Sequence, residues 1–555
     1  MTDTQMRNKV DMIIVGAGIA GLSAALTAKT LCPEKTVCVV DKADGPGKHN
    51  LSGASFEPES IYDLLNLTYP LWRENKRITA FLGRRVEKES FYILTSPAKS
   101  LNITGPVQLA AWLKCPTGEM VSRGDVIISI SKLVRVLEAI AVEKGVELLY
   151  NFPVCSVEYD SSGRPVGVRL ADKGLAKDGS HLENYARGEL VLASHIVIAE
   201  GTDGFVAEQF IEYSELERDC NQLYSIGLKE ILEVSQEQYS LLGDNGVVRL
   251  AGYPIWKPFS APSIFGGGVL YPMGDNHIAV VLITSLDWKY KNFNPFEAFC
   301  LFKRHPVVAK FINGGRVVQS GAKMIPEAGY YAVPRNKVND AMASTGNVVL
   351  VGDCAGFVNV RKMKGVSNSI YSGILAGKAF HESADNPDKY AACYSAMLKK
   401  ADFIKELKKA GKFRQLVSTV GVTLGMPLAN IDFILPLFHP HPDSSCEMRQ
   451  SYRYSGAPLD DQSLFIKNTG VHYREDQPPH LIIKDIDVCK WDCARRYDCP
   501  CIKFCPGQVY EKAGEHVMAA NASNCLHCKT CQRKCPFNNI KWVVPESGGP
   551  RYTET

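Results

Sequence analysis

The sequence has no strong excess of one charge and no long uninterrupted apolar run. Lysine and arginine number 63 and acidic residues 59, which leaves a net charge of only +4 over 555 residues. This mild balance, without a basic stripe interleaved with aromatic residues, does not favour nucleic-acid binding. No apolar run of about 18 residues is free of breakers, so the sequence predicts no clean membrane span.

Composition and length favour a soluble chain of several domains. Hydrophobic residues make up 45% and charged residues 22% of the chain, which is ordinary for a globular protein. A chain of 555 residues is too long for one core, so we expect about three or more domains. The N-terminus enters a predicted strand almost at once, so we expect neither a signal nor a transit peptide.

The N-terminal segment alternates strand, glycine-rich turn, helix and strand. A buried strand over 10–15 leads into Gly-x-Gly-x-x-Gly at 16–21, and a helix follows over 22–30. A second buried strand over 36–40 ends in Asp41, 20 residues beyond the last glycine. This order is typical of a dinucleotide-binding fold.

Each glycine of this turn has a predicted role in holding a pyrophosphate. We expect Gly16 to make the tight turn, Gly18 to let the phosphates approach the backbone, and Gly21 to allow close helix–strand packing. The N-terminus of the helix favours the negative charge. Asp41 is expected to accept hydrogen bonds from ribose hydroxyls, and Lys42 beside it is a further candidate cofactor-binding residue.

A second nucleotide-binding segment lies about 330 residues downstream of the first. A buried strand over 347–351 runs into Gly352 and Asp353, and Gly365 precedes a helix over 367–381. Flavoproteins of the glutathione-reductase-like and hydroxylase-like class carry such a returning segment, whose aspartate reaches the ribityl chain. The two segments predict one FAD bound by a discontinuous domain. Because no second Gly-x-Gly-x-x-Gly occurs, we do not expect a nicotinamide bound by this chain.

Nine of the 18 cysteines lie between residues 489 and 535. The run Cys525, Cys528, Cys531 and Cys535, followed by proline, has the spacing of bacterial ferredoxins, in which the last cysteine ligates the other cluster. Cys505, also followed by proline, is the expected remote ligand. The sequence therefore predicts a 4Fe–4S cluster held by Cys505, Cys525, Cys528 and Cys531.

The upstream cysteines resemble a stretched copy of the same run. Cys489, Cys493 and Cys501, with Cys535 crossing over, form the predicted ligand set of a second 4Fe–4S cluster. Cys499 is left over, and a choice between Cys489 and Cys499 stays open. Zinc and disulfides are the alternatives, but zinc ribbons use two separated cysteine pairs, and intracellular chains rarely hold so many disulfides.

Segments along most of the chain resemble the electron-transfer flavoprotein:quinone oxidoreductase family and its nitrogen-fixation-associated relatives. The resemblance is carried by residues 49–54, 174–179, 199–201, 266–271, 303–306, 321–326, 524–531 and 542–545. It implies a single cluster held by the first set of four cysteines, and the extra cysteines look like the relatives' separate ferredoxin subunit, fused here. It also adds Ser52 and Gly53 to the candidate FAD-binding residues. Ser129 is a departure, because the family often has an arginine there that could neutralise the pyrophosphate.

The implied fold is an α/β FAD-binding Rossmann-like fold with an inserted antiparallel sheet and a C-terminal ferredoxin-like α+β iron–sulfur domain. The expected boundaries are 1–215 and 331–400 for the FAD domain and 216–330 for the quinone-binding sheet domain. Residues 401–480 are expected to form a membrane-surface helix, apolar loop and connector, and 481–555 the iron–sulfur domain. Within the sheet domain, Gly266–Gly268 is expected to allow close approach to a flat ring or to form a plain bulge or turn.

Residues 401–438 combine a basic amphipathic helix with an apolar loop. Apolar residues recur at helical spacing and basic residues surround them: Phe403, Ile404, Leu407, Ala410 and Phe413, with Lys405, Lys408, Lys409, Lys412 and Arg414. The pattern favours a helix lying in a membrane interface, although a helix facing an ordinary core has the same period.

By resemblance, we expect an oxidoreductase that passes electrons from a heterodimeric electron-transfer flavoprotein to a quinone, through one or two 4Fe–4S clusters and FAD. It is expected to lie peripherally on the cytoplasmic face of a prokaryotic inner membrane. The alternatives are the quinone-side arm of a bifurcating complex with NADH and ferredoxin, a flavin-dependent geranylgeranyl reductase, and a zinc-stabilised partner-binding module. No acid–base residue is required by the scheme, and the quinone protons are expected from water or from His277 or His305.

Overall fold

The structure, a computed structural model, describes residues 9–51, 53, 55–445, 448, 450–452 and 460–554. Ser52, a candidate FAD-binding residue, lies outside the described residues. Two large sheets, one of eight strands and one of seven, form the body of the described chain. The cysteine-rich tail shares a buried core with the seven-stranded sheet.

The eight-stranded sheet, called here the nucleotide sheet, is built around buried parallel strands. Lys9–Val15 lies between Leu190–Ile198 and Val37–Asp41, as expected for a sheet covered by helices on both faces. The strand order is Ser344–Thr345, Val348–Leu350, Leu190–Ile198, Lys9–Val15, Val37–Asp41 and Glu147–Tyr150. Pro165–Leu170 also pairs with Leu190–Ile198, and Val154–Tyr159 pairs with Pro165–Leu170. The two predicted nucleotide-binding segments therefore meet in one sheet.

Small residues bring the helices of these two segments together. Helix Ile19–Leu31 packs along helix Val366–Ser383. A Cβ atom on Gly373 would lie 2.3 Å from the carbonyl oxygen of Ala20, so a larger residue would force the helices apart. This packing brings the downstream segment beside the glycine-rich turn.

The seven-stranded sheet, called here the substrate sheet, confirms the inserted antiparallel sheet. Its order is Arg316–Pro326, Tyr224–Glu233, His277–Ser285, Gly266–Gly274, Gly246–Gly252, Lys88–Leu94 and Ser100–Asn102. The last two strands come from the segment that the sequence assigned to the FAD domain. Gly246–Gly252 pairs with Lys88–Leu94 in parallel, a long-range pairing for which no local sequence pattern exists.

The tail folds into short helices and hairpins around its cysteines. Leu481–Ile483 pairs with Ile540–Trp542, and Glu511–Ala513 pairs with His516–Met518. Its helical elements are Val488–Cys493, Ala494–Tyr497, Pro500–Phe504 and Thr530–Lys534. The other two-stranded pairs are Ser55–Phe56 with Val126–Ile127, Lys173–Leu175 with His181–Ala186, and Trp256–Lys257 with Ser260–Ser263.

The remaining α-helices cover the sheets and connect the tail. They are Glu59–Thr68, Lys76–Leu82, Thr104–Trp112, Ile130–Glu143, Phe205–Tyr213, Gln236–Leu242, Pro295–Lys303, Pro306–Ile312, Tyr390–Lys400, Asp402–Lys409, Phe413–Val420, Val422–Leu428 and Gln462–Lys467. Across the described ranges, no helix is long and apolar enough to cross a membrane.

The helix predicted to lie on a membrane instead faces the core. In Asp402–Lys409, Phe403, Ile404 and Leu407 pack into the core of the nucleotide sheet. Arg414 is 1% exposed and pairs with Glu327 at 2.8 Å and with Asp287, so it is a buried charge. The membrane interpretation of this helix was wrong, because a helical period of apolar residues does not say what covers them.

Candidate functional site

A cavity of about 360 Å³ separates the glycine-rich turn from the substrate sheet. Its walls include Gly16, Gly18, Asp41, Lys42, Gly53, Asp353 and Gly365 of the predicted FAD-binding residues. The opposite wall is the substrate sheet, represented by Lys229, Val269, Val281 and Lys323. Val544 brings the tail into the lining as well. The two nucleotide segments, the substrate sheet and the tail therefore meet at one place.

The glycines of the turn fit a bound pyrophosphate. Gly16 has φ +111°, and a Cβ there would lie 2.4 Å from the carbonyl oxygen of Ala199; one on Gly21 would lie 2.0 Å from the oxygen of Gly16. These two positions are closed by the protein itself. A Cβ on Gly18 would meet only the side-chain nitrogen of Asn50 at 3.5 Å, so this glycine keeps open space at the cavity wall.

Asp41 and Lys42 end the second strand at the cavity. Asp41 accepts hydrogen bonds from the backbone N–H groups of Ala17 at 2.6 Å and Ala43 at 2.7 Å, which fixes its carboxylate beside the turn. Burial, with the nearby charges of Lys529 and Lys323, lowers the pKa of Lys42 to about 7. The Lys42 ammonium lies 4.7 Å from the ring centre of Trp542 in the tail.

The downstream segment places one carboxyl group in the cavity. Burial raises the pKa of Asp353, against the opposing charge of Lys323 and a hydrogen bond from Thr202. Gly365 begins helix Val366–Ser383 at the cavity wall. Gly352 does not line the cavity; its backbone has φ +68° and packs beside Ala20 and Ser369.

Four sequence-based candidates serve the fold and do not line the cavity. Gly268 lies against Phe302, whose ring atom would be 2.0 Å from an added Cβ, so this glycine allows close packing, and the stretch lies outside the lining of this cavity. His277 contacts the carbonyl oxygen of Gly274 in a turn, and His305 caps helix Pro306–Ile312. Ser129 caps helix Ile130–Glu143 by accepting from the backbone of Lys132.

The predicted ligands of the first cluster are buried close together. Burial, with the neighbouring thiols of Cys528 and Cys525, raises the pKa of the Cys505 thiol to about 12. Burial and the thiols of Cys528, Cys505 and Cys525 also raise the pKa of Cys531. The structure thus brings the remote cysteine to the three of the loop, as a 4Fe–4S cluster requires.

The remaining five thiols form a second buried group. Burial raises the pKa of Cys501, and the nearby Cys535, Cys499 and Cys489 raise it too. The Asn539 backbone donates to the Cys535 sulfur at 3.3 Å, and its side chain donates to the Cys489 sulfur at 3.3 Å. Cys535 therefore lies away from its own run and with the upstream cysteines.

A layer of aromatic rings, unrecognised from the sequence, joins the first cysteine group to the cavity. His527 sits between Cys525 and Cys528, and its ring centre lies 5.2 Å from both His49 and Trp542. His49 lines the cavity. Within the described residues, neither ring nitrogen of His527 has a hydrogen-bond partner. This ring layer, His49, His527 and Trp542, fills the space between the two predicted redox sites.

A buried carboxylate fixes the tail on the nucleotide sheet. Asp203 accepts from Arg533 at 2.9 Å and from Gln532 at 3.0 Å, and Lys529 donates to the Asp203 carbonyl oxygen. Burial alone would raise the pKa of Asp203, but Arg533 and Lys529 hold it below its ordinary value. This clamp sets the position of the cysteine groups relative to the cavity.

Comparison with known families agrees with each part of this site. Residues 459–553 match the model described as "Electron transfer flavoprotein-ubiquinone oxidoreductase, 4Fe-4S", and 224–325 match "ETF-QO, ubiquinone-binding". Residues 14–84 match "NAD(P)-binding Rossmann-like domain". The first match supports iron–sulfur ligation over the zinc alternative.

Full-length relatives decide the family. The chain is 31% identical to a mitochondrial electron transfer flavoprotein-ubiquinone oxidoreductase of Arabidopsis thaliana, over 98% of this chain and 84% of that one. It belongs to the electron transfer flavoprotein-ubiquinone oxidoreductase family. A member from Pseudomonas aeruginosa is also 31% identical, with 98% of both chains covered. Like the family members it resembles, the chain is an oxidoreductase with an FAD-binding fold and an iron–sulfur domain.

Solved structures confirm the flavoprotein fold of this family member. A geranylgeranyl bacteriochlorophyll reductase-like protein from Thermoplasma acidophilum has a TM-score of 0.50 at 16% identity, covering 78% of this chain and 97% of its own. The myxobacterial halogenase CndH has a TM-score of 0.51 at 16% identity, covering 77% and 89%. At this identity the likeness concerns the fold alone, so it does not favour the isoprenoid reductase alternative.

Proposed function

We propose that the chain takes electrons from an electron transfer flavoprotein and passes them through a 4Fe–4S cluster and FAD to a quinone. The observation that carries this proposal is the shared cavity. One wall is the glycine-rich turn, the opposite wall belongs to the ubiquinone-binding match, and the ring layer leads from that cavity to the first cysteine group.

The bound groups supply the redox chemistry, and the chain's residues supply placement and polarity. Gly18 is proposed to leave space for the FAD pyrophosphate in a turn that Gly16 and Gly21 allow to close, and Asp41 and Asp353 to hold the ribose and ribityl hydroxyls. Gly53 and Gly365 complete the same wall. Ser129 leaves the pyrophosphate without the family's arginine, and Lys42 is one of the cations of this chain that line the cavity.

A second 4Fe–4S cluster is proposed for the second cysteine group. Cys489, Cys493, Cys501 and Cys535 are its proposed ligands. The support is the position of Cys535, whose sulfur shares Asn539 with that of Cys489. Cys499 lies in the same group, and its interaction with the neighbouring Cys493 lowers the pKa of the Cys499 thiol. Its backbone has φ +49° at the start of helix Pro500–Phe504.

Membrane contact is proposed for an exposed apolar face rather than for the basic helix. The proposed face comprises the exposed side chains Phe259, Leu109, Trp112, Leu113, Leu424, Phe433 and Ile434, and the Phe259 backbone donates to Thr423 beside Leu424. Trp112 is 78% and Phe433 73% exposed, which is unusual for large apolar side chains. Thr117 and Asn430 bond at 3.2 Å, so the segments that carry Trp112 and Phe433 are neighbours.

Such a face gives a water-insoluble quinone an entry from the bilayer. We propose a peripheral protein on the cytoplasmic face of a prokaryotic inner membrane, with a heterodimeric electron transfer flavoprotein as the soluble donor. The match to bacterial members of the family supports this setting.

A steady-state assay tests the core proposal. Purified holoprotein is mixed anaerobically with reduced electron transfer flavoprotein and a short-chain quinone. We expect quinone reduction that requires both the donor and this chain. A rate equal to that of the donor with quinone alone would refute the proposal.

The second cysteine group favours one alternative circuit, the quinone-side arm of an electron-bifurcating complex. A second cluster gives the tail a separate place at which single electrons can leave or enter. The same assay distinguishes this circuit when NADH, oxidised electron transfer flavoprotein and oxidised ferredoxin replace the reduced donor. Ferredoxin reduction that depends on the quinone would support bifurcation, and quinone reduction without ferredoxin reduction would support the simple path.

A further inference from the structure

One lysine of the substrate sheet faces the cavity from within an apolar wall. Side chains alternate along Tyr224–Glu233, so Gly227 and Lys229 face the cavity, while Ile226 and Leu228 pack into the opposite core. Lys229 is 1% exposed. Its ammonium group therefore belongs to the cavity wall and not to the protein surface.

The neighbours of Lys229 are suited to a quinone ring. Val281 lies directly opposite Lys229 in the sheet, and Val269 lies opposite Val281 on the next strand. The ring centre of Tyr271 is 5.2 Å from the Lys229 nitrogen. Apolar walls with one placed polar group are typical of sites that bind flat, weakly polar ligands.

The other two cations of this wall have different partners. Arg249 pairs with Glu89 at 3.3 Å and does not release a proton in proteins. Lys323, on strand Arg316–Pro326, donates to the carbonyl oxygen of His49 at 3.3 Å and interacts with the carboxylates of Asp353 and Asp41 across the cavity. Lys229 and Lys323 are the two lysines of the cavity wall within the ubiquinone-binding match, and Lys229 is the one whose cross-strand neighbours on that wall are Val281 and Val269.

We propose that Lys229 is a catalytic residue that hydrogen-bonds one carbonyl oxygen of the quinone and donates a proton to it. This inference rests on the proposed quinone reduction. In that reduction the quinone gains two electrons and two protons. For the first proton, one N–H bond of the Lys229 ammonium breaks as an O–H bond forms at the quinone oxygen. Water reprotonates the amine and supplies the second proton to the other oxygen.

The acidity of Lys229 matches this role. Burial lowers the pKa of Lys229 to about 7, near the value at which a group both holds and releases a proton at neutral pH. The titratable or charged side chains that line the same cavity or contact Lys229 are Asp41, Lys42, His49, Glu200, Arg249, Tyr271, Lys323, Glu327 and Asp353. Because the ammonium is the donor, quinone reduction should slow as the pH rises through about 7.

Two variants, Lys229→Met and Lys229→Arg, test this proposal, with the exposed Lys310→Met as a matched control. The protein is reduced with dithionite, and its reoxidation is followed with a short-chain quinone and, separately, with ferricyanide. Ferricyanide takes up no proton, so it reports on electron transfer without the proposed step. FAD content and flavin absorbance are measured for every variant.

We expect Lys229→Met to slow reoxidation by quinone about tenfold or more, with ferricyanide reoxidation and FAD content unchanged. Lys229→Arg should lose the pH step, because arginine stays protonated, and Lys310→Met should match the wild type. A Lys229→Met protein with the wild-type quinone rate overturns the inference, as does equal slowing with both acceptors. A wild-type rate of reoxidation by quinone that does not fall above about pH 7 also overturns the inference. A wild-type protein that reduces no quinone refutes instead the proposed function.

Discussion

At the residue scale, the account depends most on the open space at Gly18. We expect Gly18→Val to abolish FAD binding while the chain still folds, because its side chain would fill the pyrophosphate space and its Cβ would meet no protein atom nearer than 3.5 Å. Flavin absorbance of the purified variant, with its circular dichroism, measures both. Gly105→Val is the control, since no atom lies within 4 Å of its added Cβ. Stoichiometric FAD in Gly18→Val would contradict the assigned role of the turn.

Cys535 is the residue that decides the number of clusters. In a one-cluster protein it is idle, because Cys505, Cys525, Cys528 and Cys531 already complete the site. We expect Cys535→Ala to lower iron from about eight to about four atoms per chain, or to convert one cluster to a three-iron form.

Cys499→Ala is the matched control for Cys535→Ala, and it should change neither the iron content nor the electron paramagnetic resonance spectrum. Four irons in the carefully reconstituted native protein would disprove the second cluster. Iron loss in Cys499→Ala but not in Cys489→Ala would move the ligand assignment to Cys499.

Spacing predicted these residues better than it predicted the rest of the site. Glycine turns and cysteine runs are local patterns, so Gly18 and the separation of Cys535 from its own run could be read from the sequence. Lys229 could not, because a lone lysine in a strand carries no sign of which face it occupies. His527 is recognisable only once His49 and Trp542 are brought to it by the fold.

At the element scale, membrane binding should depend on the apolar face and not on helix Asp402–Lys409. We expect Leu424→Asp with Phe433→Asp to weaken binding to liposomes by about tenfold or more, because each buried apolar side chain contributes roughly 2 kcal/mol. Flotation with anionic vesicles measures the effect. Val338→Asp, at a residue 97% exposed elsewhere in the chain, is the control. Unchanged flotation of the double variant would contradict this assignment.

The two sheets show why some elements could be predicted from the sequence and others could not. The buried runs of Lys9–Val15 and Val37–Asp41 are flanked by turn and helix signals, so their type and order followed from the sequence. The addition of Lys88–Leu94 to the substrate sheet depends on pairing across more than a hundred residues. The amphipathic helix was misassigned because core and membrane select the same apolar period.

At the scale of the whole molecule, the clamp, which is the set of contacts of Asp203 with Arg533, Gln532 and Lys529, should stabilise the packing of the tail on the nucleotide sheet. We expect Asp203→Asn to lower the free energy of unfolding by about 1.5–3 kcal/mol, because it removes one of the two carboxylates that pair with the partly buried Arg533 and leaves Glu208 as the other. Calorimetry measures this change. Asp388→Asn removes an exposed ion pair with Arg164 and should cost no more than about 1 kcal/mol. Equal losses in the two variants would contradict the clamp.

The same clamp predicts an acid sensitivity. The pKa of Asp203 lies below its ordinary value of 3.8, so its ion pair stabilises the fold above that pH and is lost as the pH falls through the lowered pKa. The wild type should lose stability below about pH 4, and Asp203→Asn should lose less over the same range. Parallel acid denaturation curves would show that Asp203 does not contribute.

The central claim is that one chain carries electrons from its cysteine-rich tail to a quinone at the shared cavity. Anaerobic rapid mixing of the holoprotein with reduced electron transfer flavoprotein, followed by a quinone, tests this claim most directly. Flavin absorbance and the electron paramagnetic resonance signal of the clusters are followed together. The account predicts that the donor reduces both groups and that quinone then reoxidises both. Donor-driven reduction of the clusters with the flavin left oxidised, or reduced flavin that quinone does not reoxidise, would contradict it.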